Sequence, residues 1–102
     1  MILVRFVCQA RFGKAVDALA GIRQSGQAIR AVSGPQIRIR LLTDLSGPFD
    51  TVVQELEVES LAEWEQLRAR VFSNPEVQAA EAAQPDLIVS GRTEYYTIEE
   101  AF

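Results

Sequence analysis

An α+β fold, a four-stranded antiparallel sheet with helices on one face, is predicted by three features of the sequence. Four segments alternate apolar and polar residues with a period of two. Two others repeat apolar residues every three or four positions, in the order strand, helix, strand, strand, helix, strand. Arg and Glu recur on one side of the alternating segments while the other side stays apolar. That order is the ferredoxin-like βαββαβ motif.

The first strand is expected over 2–8, with Ile2, Val4, Phe6 and Cys8 on one side and Leu3, Arg5 and Val7 on the other. Residues 9–13 are read as a turn. Phe12, Val16, Leu19 and Ile22 make one stripe of an amphipathic helix over 12–24, which Ser25-Gly26 is expected to end. Residues 27–34 read as either a helix end or a short extended run. Gly34-Pro35 turns the chain into a second strand over 36–43, where Ile37, Ile39 and Leu41 oppose Arg38, Arg40 and Leu42. Asp44 to Pro48 supply a hairpin connection. The third strand, 50–59, sets Val52, Gln54, Leu56 and Val58 against Val53, Glu55, Glu57 and Glu59.

Ser60-Leu61-Ala62-Glu63 reads as a capping box, with Glu63 reaching back to the Ser60 amide. The helix behind it places Leu61, Trp64, Leu67 and Val71 on one stripe, beside Phe72, and breaks near Ser73. Asn74-Pro75 starts a second short helical piece, closed by Gln84-Pro85-Asp86. The last strand, 87–98, carries Ile88, Ser90, Arg92, Glu94, Tyr96 and Ile98 on one side, and Gly91 is a candidate bulge.

At 102 residues the chain is expected to form one domain, residues 1–102. Its net charge of −4 argues against sequence-independent nucleic-acid binding. Lys14 is the sole lysine, so the basic residues are nearly all Arg, suited to planar pairing with carboxylates. The apolar start is interrupted at Arg5, too early for a signal-peptide core or a membrane span, and one cysteine fits a reducing compartment. A cytoplasmic protein with no membrane contact is the expectation. With no histidine in the chain, Cys8, Ser46 and Ser90 lack the partner of the common nucleophilic triads. Glu55, Glu57 and Glu59 do not match a calcium loop, and no glycine pattern cradles a phosphate, so neither metal nor cofactor is expected.

Helices on one side leave the other sheet face uncovered. Arg5, Arg38, Arg40, Glu55, Glu57, Arg92, Glu94 and Tyr96 are the candidate site residues there, mixed with Leu3, Val7, Leu42, Val53, Ile88 and Ile98. Opposite charges on neighbouring strands are favourable, so the set reads either as an ion-pair lattice or as a site where a spare guanidinium grips an anion. An apolar patch of this kind marks an interaction surface, and a homodimer through the sheet face is expected.

The stretches Leu42 to Val53, Glu57 to Glu65, Phe72 to Glu76 and Val89 to Tyr96 resemble NIPSNAP-like proteins of the dimeric α/β-barrel superfamily. The resemblance implies a homodimer with sheets face to face and any site inside the barrel. It spans cofactor-free monooxygenases, isomerases, haem-binding enzymes and proteins without known activity, and fold alone does not choose among these. Lacking histidine, this chain lacks the usual neutral axial ligand for haem iron. The leading expectation is a dimeric α/β-barrel protein binding a small anionic organic molecule in its interior. A cofactor-independent monooxygenase or isomerase using Glu55, Glu57 or Tyr96, and a purely structural interaction module, are the alternatives.

Overall fold

The computed structural model describes residues 1–83 and 86–102. Its elements are β1 (Ile2–Ala10), α1 (Ala15–Ser33), β2 (Arg38–Thr43), β3 (Thr51–Val58), α2 (Leu61–Phe72), α3 (Pro75–Ala83) and β4 (Ile88–Thr97). The strands form one antiparallel sheet in the order β2-β3-β1-β4. This is the expected βαββαβ arrangement, with α3 as the short additional helix before β4.

The apolar phases of β1, β2 and β3 meet the helices, while β4, at the sheet edge, is exposed along its length except at half-buried Glu94. Val4, Leu56 and Val58 on the sheet pack with Ile29 of α1, Trp64, Leu67 and Val71 of α2, and Val77 of α3. A smaller cluster joins Ala10, Ala18 and Val52 and draws in Leu19, Ile22 and Leu87. The aromatic rings of Phe6 and Trp64 lie 5.6 Å apart. The Trp64 indole N–H donates to the Tyr95 hydroxyl at 3.4 Å, placing Tyr95 on the helix side and Tyr96 on the other.

The first helix departs most from expectation. It begins three residues after Phe12 and runs nine beyond Gln24. Phe12 and Val16 are exposed, and the buried positions are Ala18, Ile29 and Ser33. Ser25-Gly26 does not stop the helix, because Gly26 serves packing: a Cβ there would lie 3.3 Å from the Gln54 side chain. The helix ends at Gly34, whose φ of +80° suits glycine. Its start is fixed by Asp50, itself in the left-handed region, whose carboxylate accepts the Gly13 amide at 2.8 Å and the Ala15 amide at 3.2 Å.

Smaller corrections follow the same logic. Gln9 and Ala10 continue β1 instead of turning. In the capping box Ser60 Oγ accepts the Glu63 amide at 3.1 Å, but the Glu63 carboxylate accepts the Glu59 amide, one residue before the expected one. Leu61 is exposed while Trp64, Leu67 and Val71 are buried. Asn74 Oδ1 caps α3 through the Glu76 amide at 2.9 Å; of the expected closing residues, Gln84 and Pro85 lie outside the described residues. The β4 irregularity is not at Gly91, which pairs regularly with Cys8. It falls at Val89: Ser90 pairs with Gln9 and Ile88 with Ala10, so Ile88 leaves the phase of Arg92. Val89, expected under the helices, is exposed there. Among the described residues no helix is long and apolar enough to cross a membrane.

Candidate functional site

The strand registers arrange the uncovered face as rows. Arg40, Glu55, Arg5 and Glu94 stand side by side across β2, β3, β1 and β4. Arg38, Glu57, Leu3 and Tyr96 form the next row on one side, and Leu42, Val53, Val7 and Arg92 the row on the other. All eight residues expected from the sequence therefore share this face.

The central row is a continuous chain of ion pairs. Glu55 Oε1 accepts from Arg40 Nη2, and Glu55 Oε2 lies 2.9 Å from Arg5 Nε. That second contact is charge proximity without alignment, since the buried Arg5 N–H makes no hydrogen bond there. Arg5 Nη1 donates to Glu94 Oε1 at 3.0 Å, and Arg92 Nε donates to Glu94 Oε2 at 2.8 Å. Arg38 and Glu57 are looser, at 3.8 Å. Glu55 is only 7% exposed although no helix lies above it, because the side chains of its neighbours close over it. Both its oxygens face guanidiniums, a poor arrangement for taking a substrate proton.

The Arg92 hydrogen bond holds the Glu94 carboxyl below its ordinary range against the opposing effect of desolvation, with smaller help from Tyr96 and Arg5. The same hydrogen bond pushes Arg92 up. On the covered phase of β1, burial pushes the Cys8 thiol up, so it is a neutral packing group.

A cleft of about 410 Å³ opens at one end of this face, lined by Arg5, Val7, Gln9, Thr51, Val53 and Arg92. Of the expected residues only Arg5 and Arg92 reach it; Arg38, Arg40, Glu57 and Tyr96 lie elsewhere on the face. Gln9 and Thr51 were not anticipated. Gln9 Oε1 accepts from Thr51 Oγ1 at 3.2 Å while its amide donates to the Phe49 carbonyl, which fixes the cleft floor. Only the strand continuing past Cys8, with Gln9 in the outward phase of Arg5 and Val7, could have pointed to it. Among the described residues no cluster of three or more His, Cys, Asp or Glu side chains is placed to hold a metal ion.

A scan against protein-family models gave no match, and a search of curated proteins gave none. Solved structures did match. An uncharacterized NIPSNAP domain protein from Burkholderia xenovorans superposes with a TM-score of 0.81 at 18% identity, covering 95% of this chain and 93% of that one. A NIPSNAP family protein of unknown function from Agrobacterium tumefaciens gives 0.80 at 17%, covering 94% and 86%. The fold is that of the NIPSNAP proteins. It extends to a Deinococcus radiodurans protein provisionally assigned as an antibiotic biosynthesis monooxygenase, with a TM-score of 0.69 at 19% identity over 100% and 96% of the two chains. Identities this low establish the shared NIPSNAP-like architecture and leave the activity to the side chains.

Proposed function

We propose that the chain works as a homodimer in which two uncovered sheet faces pack together, and that the enclosed cleft binds a small anionic organic molecule. One observation carries the ligand reading: the face holds four arginines against three glutamates, and the excess sits at the cleft. Arg92 meets Glu94 only through Nε, so among the described residues its two terminal nitrogens have no partner. A guanidinium edge of this kind suits a carboxylate or phosphate.

The dimer reading rests on the company those charges keep. Leu42 and Tyr96 are exposed, and Leu3, Val7 and Ile98 are half-buried, on a face that no element of the chain covers. A mixed patch of this kind favours a self-complementary partner. The cleft is open along that side, and a second copy would roof it.

Native mass spectrometry and thermal denaturation test both parts. The expected mass is that of two chains, and benzoate or inorganic phosphate is expected to raise the melting temperature in wild type and not in Arg92→Met. A monomer at micromolar concentration would remove the roofed cleft. An anion response unchanged in R92M would remove the site.

A further inference from the structure

The opposite side of the sheet holds a cavity that the anion site does not use. It has a volume of about 200 Å³ and lies between α1, α2 and the strands, lined chiefly by Phe6, Cys8, Ile29, Gln54, Trp64 and Val71. Phe72 and Arg68 stand at its α2 side, with the guanidinium carbon 5.7 Å from the centre of the Phe72 ring. We infer that this cavity is a second ligand site, for a compact neutral molecule of about one ring carrying one hydrogen-bond donor.

Size sets the first limit. Sites for drug-sized ligands begin near 300 Å³, while an apolar cavity of about 150 Å³ holds benzene. The volume here therefore suits one ring with a substituent. Charge sets the second. The walls are aromatic and aliphatic, no carboxylate lines them, and the Cys8 thiol is kept neutral by burial. Arg68, the one charged side chain on the lining, is exposed and held against the Phe72 ring at the α2 side. An ion in the interior among Phe6, Cys8 and Trp64 would therefore lose hydration with no opposite charge beside it.

Gln54 sets the third. It is the one amide on the lining, 4% exposed, in the strand phase otherwise held by Val52, Leu56 and Val58. Its Nε2 donates to the Ile22 carbonyl at 3.4 Å, a long bond, and its Oε1 meets no donor among the described residues. Gly26 lets α1 pass close over this amide, which holds the side chain in place. That oxygen keeps some open surface, since among the described residues Arg5 Nε is the fully buried side-chain atom without a partner. A ligand O–H or N–H reaching Gln54 Oε1 would gain a hydrogen bond largely shielded from water. An amide at this position is hard to explain as packing, since leucine would fill the same phase without needing a partner.

Trp64 is the sole tryptophan and forms part of the wall, so its emission reports occupancy directly. Phenol and toluene, matched in shape, are the probes. Wild type is expected to give saturable Trp64 quenching with both. Gln54→Leu is expected to weaken phenol about tenfold, the scale of one lost hydrogen bond, and to leave toluene within about twofold. Ser25→Phe, which fills the cavity from α1, is expected to abolish both while circular dichroism confirms the fold. Arg92→Met is expected to change neither, which separates this site from the anion cleft. Absence of saturable quenching in wild type, phenol affinity unchanged in Q54L, or full binding by folded S25F would each overturn the inference.

Discussion

The two faces of the sheet are built by the same four strands and held by different physics. Under the helices, Val4, Val52, Leu56 and Leu67 are fully buried, and Val58 nearly so, and closure comes from the chain's own α1, α2 and α3. On the other side Glu55 and Val53 are buried with no layer above them, because long arginine side chains lie across the strands. The covered face thus stabilises the fold through area removed from water, which tolerates changes in chemistry and punishes lost volume. The uncovered face depends on which residue stands opposite which, and a one-residue slip would turn Arg5 and Glu55 into the core.

Four substitutions test this contrast. Leu56→Ala, on the covered side, should have the largest effect, about 3 kcal/mol of stability lost in urea denaturation, through transfer and cavity terms together. Glu55→Gln leaves Arg5 and Arg40 facing each other without their shared anion; about 2 kcal/mol is expected, below the range for a sealed pair because both arginines are partly exposed. Ser60→Ala removes the α2 cap and should cost about 1 kcal/mol, with Thr restoring most of it.

The smallest effect concerns acid. Glu94 titrates lower in the folded chain than in the unfolded one, so its contribution is present above the ordinary carboxylate range. It is lost as pH falls through the lowered value. Melting curves of wild type and Glu94→Gln should therefore differ near neutrality and converge in acid. Persistent separation at low pH would show that Glu94 acts by shape instead of charge.

The strand phases were legible because a period of two leaves each side chain only two sides to choose between. That one constraint placed Arg5, Glu55 and Glu94 together and separated Tyr95 from Tyr96. The extent of α1 was not legible, since Ser25-Gly26 carries a local stop signal whose meaning depends on Gln54, far away in the chain. Asp50 was missed for the same reason: it caps amides 35 and 37 residues away, through a left-handed backbone that no short-range pattern announces. The cleft lay one residue past the expected end of β1, at Gln9. Of the cavity, Phe6, Trp64 and Val71 were recognised only as core, because a gap between packed elements leaves no periodic trace.

The central row has one more consequence. Its charges run positive, negative, positive, negative from β2 to β4, and neighbouring strands are about 4.8 Å apart. Seen from beyond a few such spacings these signs cancel, and salt shortens the reach further. A diffusing anion would feel almost no pull from this row before arrival. The chain's net charge of −4 sets the distant field instead, so added salt should speed its capture, unlike in proteins that funnel anions inward.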